Sequence, residues 1–194
     1  MASFFDRLGC YLLDVLLIFA ISSVISVFIP NKGNDINKEI TALTEKYTNG
    51  EVGSEAFINE YQDLMYKYQK ENYLSTVVSV GLNFVYFVVF AYFNKGQTIA
   101  KKLMNIKVVD NKTEKRPKFW QMLVRNVFIY SLLSNVIILI LLFTSKNNFI
   151  YCYTLVGGFD LMFVMITVMF VLYRKDKRGL HDMMACTKVV KESV

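Results

Sequence analysis

Residues 7–29 read RLGCYLLDVLLIFAISSVISVFI, from Arg7 through Asp14 to Ile29. From Leu8 onward the run is apolar enough and long enough to cross about 30 Å of hydrocarbon at about 1.5 Å per helical residue. One residue resists that reading. Asp14 puts a carboxylate about two turns into the segment. A charge there costs at least ~2.5 kcal/mol on the mildest insertion scale, so the folded protein must compensate for it. The stretch therefore signals a membrane helix and a buried polar site together.

Three further blocks repeat the apolar character: Leu74 to Phe93, Phe119 to Phe143 with Arg125 near its start, and Phe149 to Tyr173. Each is close to the ~20 residues a spanning helix needs, and none shows the period-two alternation of a barrel strand. The expected fold is an all-α membrane protein, a single transmembrane domain over 1–194. It is a four-helix transmembrane bundle with spans at about 8–29, 74–93, 119–143 and 149–173, an extracytoplasmic helical hairpin over 31–73 and a small cytoplasmic two-strand element. The first block lacks a small-residue cleavage site after a short apolar core and is expected to be a retained helix, not a signal peptide.

The formal charge is +6. Its distribution argues for topology and against nucleic acid. Lys95 to Lys118 holds eight basic and two acidic residues, the tail from Arg174 holds six and three, and Asn31 to Tyr73 holds five and eight. By the positive-inside rule the first two face the cytoplasm and the third faces outward, with both termini inside. The protein is thus expected to be integral to a membrane, read as a bacterial cell membrane, with the lipid bilayer as its first partner. Cys10, Cys152 and Cys186 are too few for a disulfide framework and are expected to pack. No metal-ligand spacing, phosphate loop or dinucleotide fingerprint occurs, so no metal and no cofactor is expected.

In the outer segment, Asn49-Gly50-Glu51-Val52-Gly53 is a turn signal between two amphipathic stretches. Ile36, Ile40, Leu43 and Tyr47 repeat at helical spacing, as do Phe57, Tyr61, Leu64, Met65 and Tyr68, with Asn34 and Ser54 as expected N-caps. Their apolar stripes need cover from each other, the lipid interface or the mouth of the bundle. On the inner side, Gly96-Gln97-Thr98 leads into Ile99 to Met104. There Ile99, Leu103 and Met104 share a face and Lys101 and Lys102 are expected to point away from it, a pattern that suits a helix lying in the headgroup region with Thr98 as its cap. Ile106 to Val109 and Thr187 to Val190 are short β-branched runs, expected to pair with each other beneath the bundle.

The candidate chemistry lies in buried charges. Arg7 and Asp14 are seven apart, on one face of the first helix but about 10 Å from each other along it. Asp160 lies deeper, about 20 Å from the inner boundary by helical rise. Gly157 and Gly158 beside it would permit close helix approach or unwinding, and Asn83 and Asn135 offer polar partners. Arg125 is the most available counter-charge for Asp14, whereas Asp160 has no cation at its depth. The two carboxylates should both face the interior without forming a dyad. His181, the only histidine, reads either as a satisfied interfacial residue or as a group titrating near neutrality.

At this point the chain resembles the RDD family of membrane proteins, named for one Arg and two Asp residues. Three blocks carry the resemblance: Arg7-Leu8-Gly9-Cys10-Tyr11-Leu12-Leu13-Asp14, then Gly96-Gln97-Thr98-Ile99-Ala100-Lys101-Lys102-Leu103 running into Ile106-Lys107-Val108-Val109-Asp110, and Arg178-Gly179-Leu180-His181-Asp182 followed by Ala185-Cys186-Thr187-Lys188-Val189-Val190. The resemblance implies that Arg7, Asp14 and Asp182 are the name-giving residues, and that Gly96, Thr98, Lys101 and His181 belong to a cytoplasmic motif. Ala100 stands where the family commonly has Gly, and the acidic outer hairpin is an addition.

Two functions stay open at this level. Arg7, Asp14, Arg125, Asp160 and Asp182 could form an ion- or proton-binding network transporting a monovalent cation against protons, since some relatives in the family are assigned sodium/proton antiport. With four helices and no inverted repeat, that reading calls for a homo-oligomer. Alternatively the same charges are structural, and the protein is a non-catalytic membrane adaptor or subunit of a larger membrane complex with a membrane-protein partner. For Arg7 the plain reading is a headgroup anchor, and for Asp182 a helix cap or a partner for Arg178. An enzyme is not expected, because no nucleophile and base lie at a recognisable spacing.

Overall fold

Helix α1 (Phe4–Ser26) begins where the sequence supplies a capping box: Ser3 Oγ accepts from the Asp6 N–H at 3.1 Å, and the Asp6 carboxylate accepts from the Ser3 N–H at 2.9 Å. In the computed structural model, residues 1–29, 33–144, 146 and 148–192 are described. The first two residues of the expected hairpin, 31 and 32, lie outside them. Along α1 the residues Phe5, Leu12, Leu16, Phe19 and Val24 are exposed, while Cys10, Asp14 and Ile18 are buried. An apolar outside with a polar residue inside is the inverse of a soluble helix, and suits lipid as the surrounding solvent.

Helices α2 (Gly33–Thr48) and α3 (Ser54–Glu71) form the expected hairpin, packed through Leu43 and Leu64 and a Tyr47–Phe57 ring stack at 4.4 Å. Their caps differ from expectation. Gly33 opens α2, so Asn34 lies in its first turn, and Gly53 is the N-cap of α3, so Ser54 is already helical. The hairpin rests on the bundle. Tyr66 donates to the Leu142 carbonyl at 3.0 Å, and Lys146 pairs with Asp63 at 3.3 Å.

The second apolar block is one continuous path of 21 residues, Tyr73–Phe93. It consists of α4 (Tyr73–Phe84), a π-helical turn over Val85–Phe90, and α5 (Ala91–Phe93). The wide turn releases a carbonyl that an α-helix would use internally, and Phe87 O accepts instead from Asn126 Nδ2 at 2.6 Å. After it, Gly96 adopts a left-handed φ of 84°, and a Cβ there would run into the Val108 carbonyl. Thr98 then caps α6 (Ile99–Leu103) by accepting from the Lys101 N–H. Along α6, Ile99 and Leu103 are exposed, which suits a helix lying in the headgroup region. Two side chains depart from expectation: Lys101 is buried with Ala100 while Lys102 stays exposed, and Met104 packs on the core instead of sharing the exposed face.

The third expected span is not one helix. Helices α7 (Phe119–Ile129) and α8 (Leu132–Thr144) meet at 67°. Ser131, with φ at 52°, interrupts the right-handed path. Side chains hold α7 to its own neighbours: the Tyr130 ring stacks on Phe87 and on Tyr11, and Asn126 reaches the π-helical turn. Helix α8 instead packs on α4 and on α9 (Phe149–Tyr173). Among the described residues, three helical segments are long and apolar enough to cross a membrane, Phe4–Ser26, Tyr73–Phe93 and Phe149–Tyr173. They become four if the bent pair α7–α8 counts as one span. Helix α9 runs through Gly157 and Gly158 without unwinding, and among the described residues no other part of the chain comes within 4 Å of a Cβ position at either glycine, so no close helix approach is seen there.

Strands β1 (Ile106–Asp110) and β2 (Thr187–Lys191) pair antiparallel, with Val108 opposite Val189 and Asp110 opposite Thr187. The pairing meets the expectation drawn from their composition. Ile106, Val108 and Val189 turn into a core with Cys10, Ala100 and Met122, and the Ala2 N–H donates to the Val189 carbonyl at 3.0 Å. Between the strands in sequence lies the short helix α10 (Leu180–Met184). The sheet thus draws both ends of the chain and both short helices against one end of the bundle.

Candidate functional site

Asp14 is completely buried. Tyr86 Oη donates to its Oδ1 and Thr98 Oγ1 to its Oδ2, each at 2.5 Å, and the Ala100 N–H donates to Oδ1 at 3.3 Å. Every one of these donors has a local cause. The π-helical turn presents Tyr86, the Gly96 turn places Thr98 as the cap of α6, and the first turn of α6 leaves the Ala100 N–H free to donate. Two short O–H···O bonds to a carboxylate are of the strong, charge-assisted kind. The expected pairing of Asp14 with Arg125 or Arg7 is therefore corrected: hydroxyls and a backbone N–H compensate it, and the arginines are engaged elsewhere.

They converge on Asp182. Arg7 Nη1 donates to Asp182 Oδ2 at 2.7 Å, Arg125 Nη1 forms an ion pair with Oδ1, and the Gly179 N–H donates to Oδ2 at 3.2 Å as a helix cap. Thr187 Oγ1 lies 3.4 Å from Oδ1 and accepts from Arg125 Nη1 at 3.3 Å. Asp182 is fully buried. Its cap role matches one of the plain readings, but Arg178 does not reach its carboxylate; that guanidinium donates to the Thr187 and Asp182 carbonyls. The headgroup reading of Arg7 also falls, because its guanidinium points inward. The result is a clamp joining α1, α7, α10 and β2. Desolvating three charges is costly, and the clamp offsets this through the ion pairs and hydrogen bonds that converge on Asp182.

Lys101 and His181 complete the cluster. Lys101, expected only to point away from the Ile99 and Leu103 face, is buried, and burial together with the nearby Arg125 pulls its ammonium down to about 8 despite the opposing attraction of Asp14. His181 is also buried. Burial first, then Arg125, Arg7 and Lys101, hold its imidazole well below its ordinary range, so it is neutral at pH 7. Its Nε2 lies 3.6 Å from Asp182 Oδ1.

Asp160 is outside this group. It is half-buried, accepts from Ser134 Oγ at 2.6 Å, and borders a separate cavity of about 240 Å³ between α7, α8 and α9. Asn83 and Asn135 are not its partners; Asn83 donates to the Ser79 carbonyl, and both asparagines line a third, surface hollow. Among the described residues the two carboxylates Asp14 and Asp160 share no hydrogen-bond partner, as their depths imply. Sequence reasoning missed Tyr86, Ser134, Asn126 and Thr187. The spacing gave no cue for Tyr86, since its use depends on a π-helical turn in an otherwise ordinary apolar run.

The three sequence blocks thus meet at one end of the bundle, with a polar centre and a lipid-facing exterior. A model of the RDD family matches residues 1–186. No curated protein and no solved structure matches the chain.

Proposed function

The chain belongs to the RDD family, and we propose that it serves as a non-catalytic membrane adaptor or subunit of a larger membrane complex. The observation that supports this reading is the saturation of both central carboxylates. Asp14 accepts three protein donors, and Asp182 is held by two arginines and a helix N–H. A cation would have to displace these donors before gaining a ligand, so the cluster acts as a fastener for the sheet. In this proposal the basic loops, the sheet and both termini face the cytoplasm of a bacterial cell, and the hairpin faces outward where a partner can reach it.

The test is stoichiometry in mild detergent. Recovery with another membrane protein at fixed ratio, and no cation/proton exchange in proteoliposomes, is the expected result; a homo-oligomer that exchanges would overturn it. Labelling of single cysteines at Asn49 from outside and at Asn111 only after permeabilisation checks the orientation.

Monovalent cation/proton exchange is the second reading, and Asp160 is what favours it. This carboxylate has one hydroxyl partner and a cavity beside it, so it retains oxygen lone pairs for an ion. If exchange is observed, Asp160→Asn should abolish it.

A further inference from the structure

Helices α1 and α9 do not pack extensively against each other, and between them lies a cavity of about 170 Å³. Its walls are apolar, formed by Leu8 and Tyr11 on one side and Val164 and Val168 on the other. Its floor is the charge cluster: Arg7, Lys101, Arg125, Thr167 and His181. Leu8, Tyr11 and Val168 are also exposed on the outer surface of the bundle, so the mouth opens where lipid lies.

We propose that this cavity binds the phosphate headgroup of an anionic phospholipid entering sideways from the bilayer. Four buried polar atoms lining it have no hydrogen-bond partner among the described residues: Arg7 Nε and Nη2, Thr167 Oγ1 and His181 Nδ1. Thr167 is 3% exposed and His181 6%, so neither draws on bulk solvent. Arg7 Nε and Nη2 are obligate donors and the Thr167 hydroxyl can donate, and three buried donors without acceptors around one cavity point to a shared acceptor.

The charges favour an anion over water. Arg7, Lys101 and Arg125 face Asp14 and Asp182, three formal cations against two carboxylates, which leaves one positive charge. Both carboxylates are already saturated, and Lys101 forms no ion pair among the described residues. Water would satisfy the donors but not the charge. A guanidinium fork fits phosphate oxygens, and basic pockets between membrane helices suit anionic headgroups. The volume resembles the ~150 Å³ cavity that accepts a benzene ring, so a headgroup fits and the acyl chains must stay outside, along Leu8 and Val168. A choline headgroup would bring a second cation against the surplus charge. This inference holds whether the chain is an adaptor or an exchanger.

The test uses the full chain in mild detergent, with native mass spectrometry and thermal midpoints as readouts. Dioleoyl phosphatidylglycerol, dioleoyl phosphatidylcholine and millimolar inorganic phosphate are the three probes. Phosphatidylglycerol should bind at least about tenfold more tightly than phosphatidylcholine and raise the midpoint. Val168→Trp, which plugs the mouth, and Thr167→Val, which removes one donor, should each weaken that binding several-fold while leaving the lipid-free midpoint within a few degrees. Equal binding of the two lipids, or unchanged phosphatidylglycerol binding in both variants, would overturn the proposal. Inorganic phosphate matching phosphatidylglycerol would also overturn it, assigning the site to a free anion.

Discussion

Asp14 and Asp160 are both carboxylates within apolar helices, yet the protein treats them differently. Asp14 sits in a shell of three donors drawn from two sequence regions, the π-helical turn and the start of α6, with no solvent contact. Asp160 is half-buried and has one serine hydroxyl. The difference teaches that depth in a membrane helix does not decide a carboxylate's role. What decides it is whether the surrounding chain supplies enough donors to close the site. At the sheet end it does; near the middle of α9 a single short bond leaves the carboxylate open.

The largest effect that would sharpen this contrast is expected from Asp182→Asn. It removes the common partner of Arg7 and Arg125 and strands two buried guanidiniums, at a cost of roughly 3–5 kcal/mol. The variant should accumulate poorly and elute as aggregate in size-exclusion chromatography. Wild-type elution and midpoint would break the view of Asp182 as the clamp.

Asp14→Asn should cost less, about 1–3 kcal/mol, because no arginine depends on it. A double-mutant cycle separates the two carboxylates: Arg125→Gln should be additive with Asp14→Asn within about 0.5 kcal/mol but strongly non-additive with Asp182→Asn. Coupling of Arg125 to Asp14 would revive the direct pairing that the sequence suggested.

A smaller effect is expected from pH. His181 is held neutral in the folded state, its imidazole facing Arg7, Lys101, Arg125 and Asp182, and it charges more easily when unfolded. Stability from this source is present above the unfolded value near 6.5 and is lost as pH falls below it, with a slope of up to about 1.4 kcal/mol per pH unit. Midpoints measured from pH 7.5 to 5 should fall, and His181→Leu should flatten the curve. The smallest effect is expected for Asp160→Asn, within about 0.5–1 kcal/mol, since an amide can keep the contact with Ser134. A loss as large as that at Asp182 would erase the contrast.

Much of the architecture was legible because the signals were local. Block length and hydropathy indicated spanning helices, and β-branched runs bounded by turn residues indicated β1 and β2 as partners. Thr98 was readable as a cap from Gly96-Gln97-Thr98. The break at Ser131 was not, because Leu132 to Phe143 continues the apolar run without a proline or glycine. The burial of Lys101 was missed for a different reason. Lys101 and Lys102 are adjacent and alike in sequence, and only the packing of α6 against α1 buries one and leaves the other exposed. Partner choice in the charge site was not readable either. Asp14, Arg125 and Asp182 lie far apart in sequence, and only the folded π-helical turn and the sheet decide which donor meets which carboxylate.

The clamp also has a consequence in time. Arg7 and Asp182 are 175 residues apart, and at about 5–20 residues per second of synthesis the arginine exists for roughly 9–35 seconds before its partner is made. During that interval the later apolar blocks are made one after another, while Arg7, and Arg125 once it is made, have no carboxylate of the clamp to pair with. The carboxylate that closes the clamp is made after both arginines, so a chain released before it carries two uncompensated cations among its helices. Synthesis of Asp182 thereby becomes the event that lets the clamp close, and a product truncated before it is marked as unfinished by its own charge.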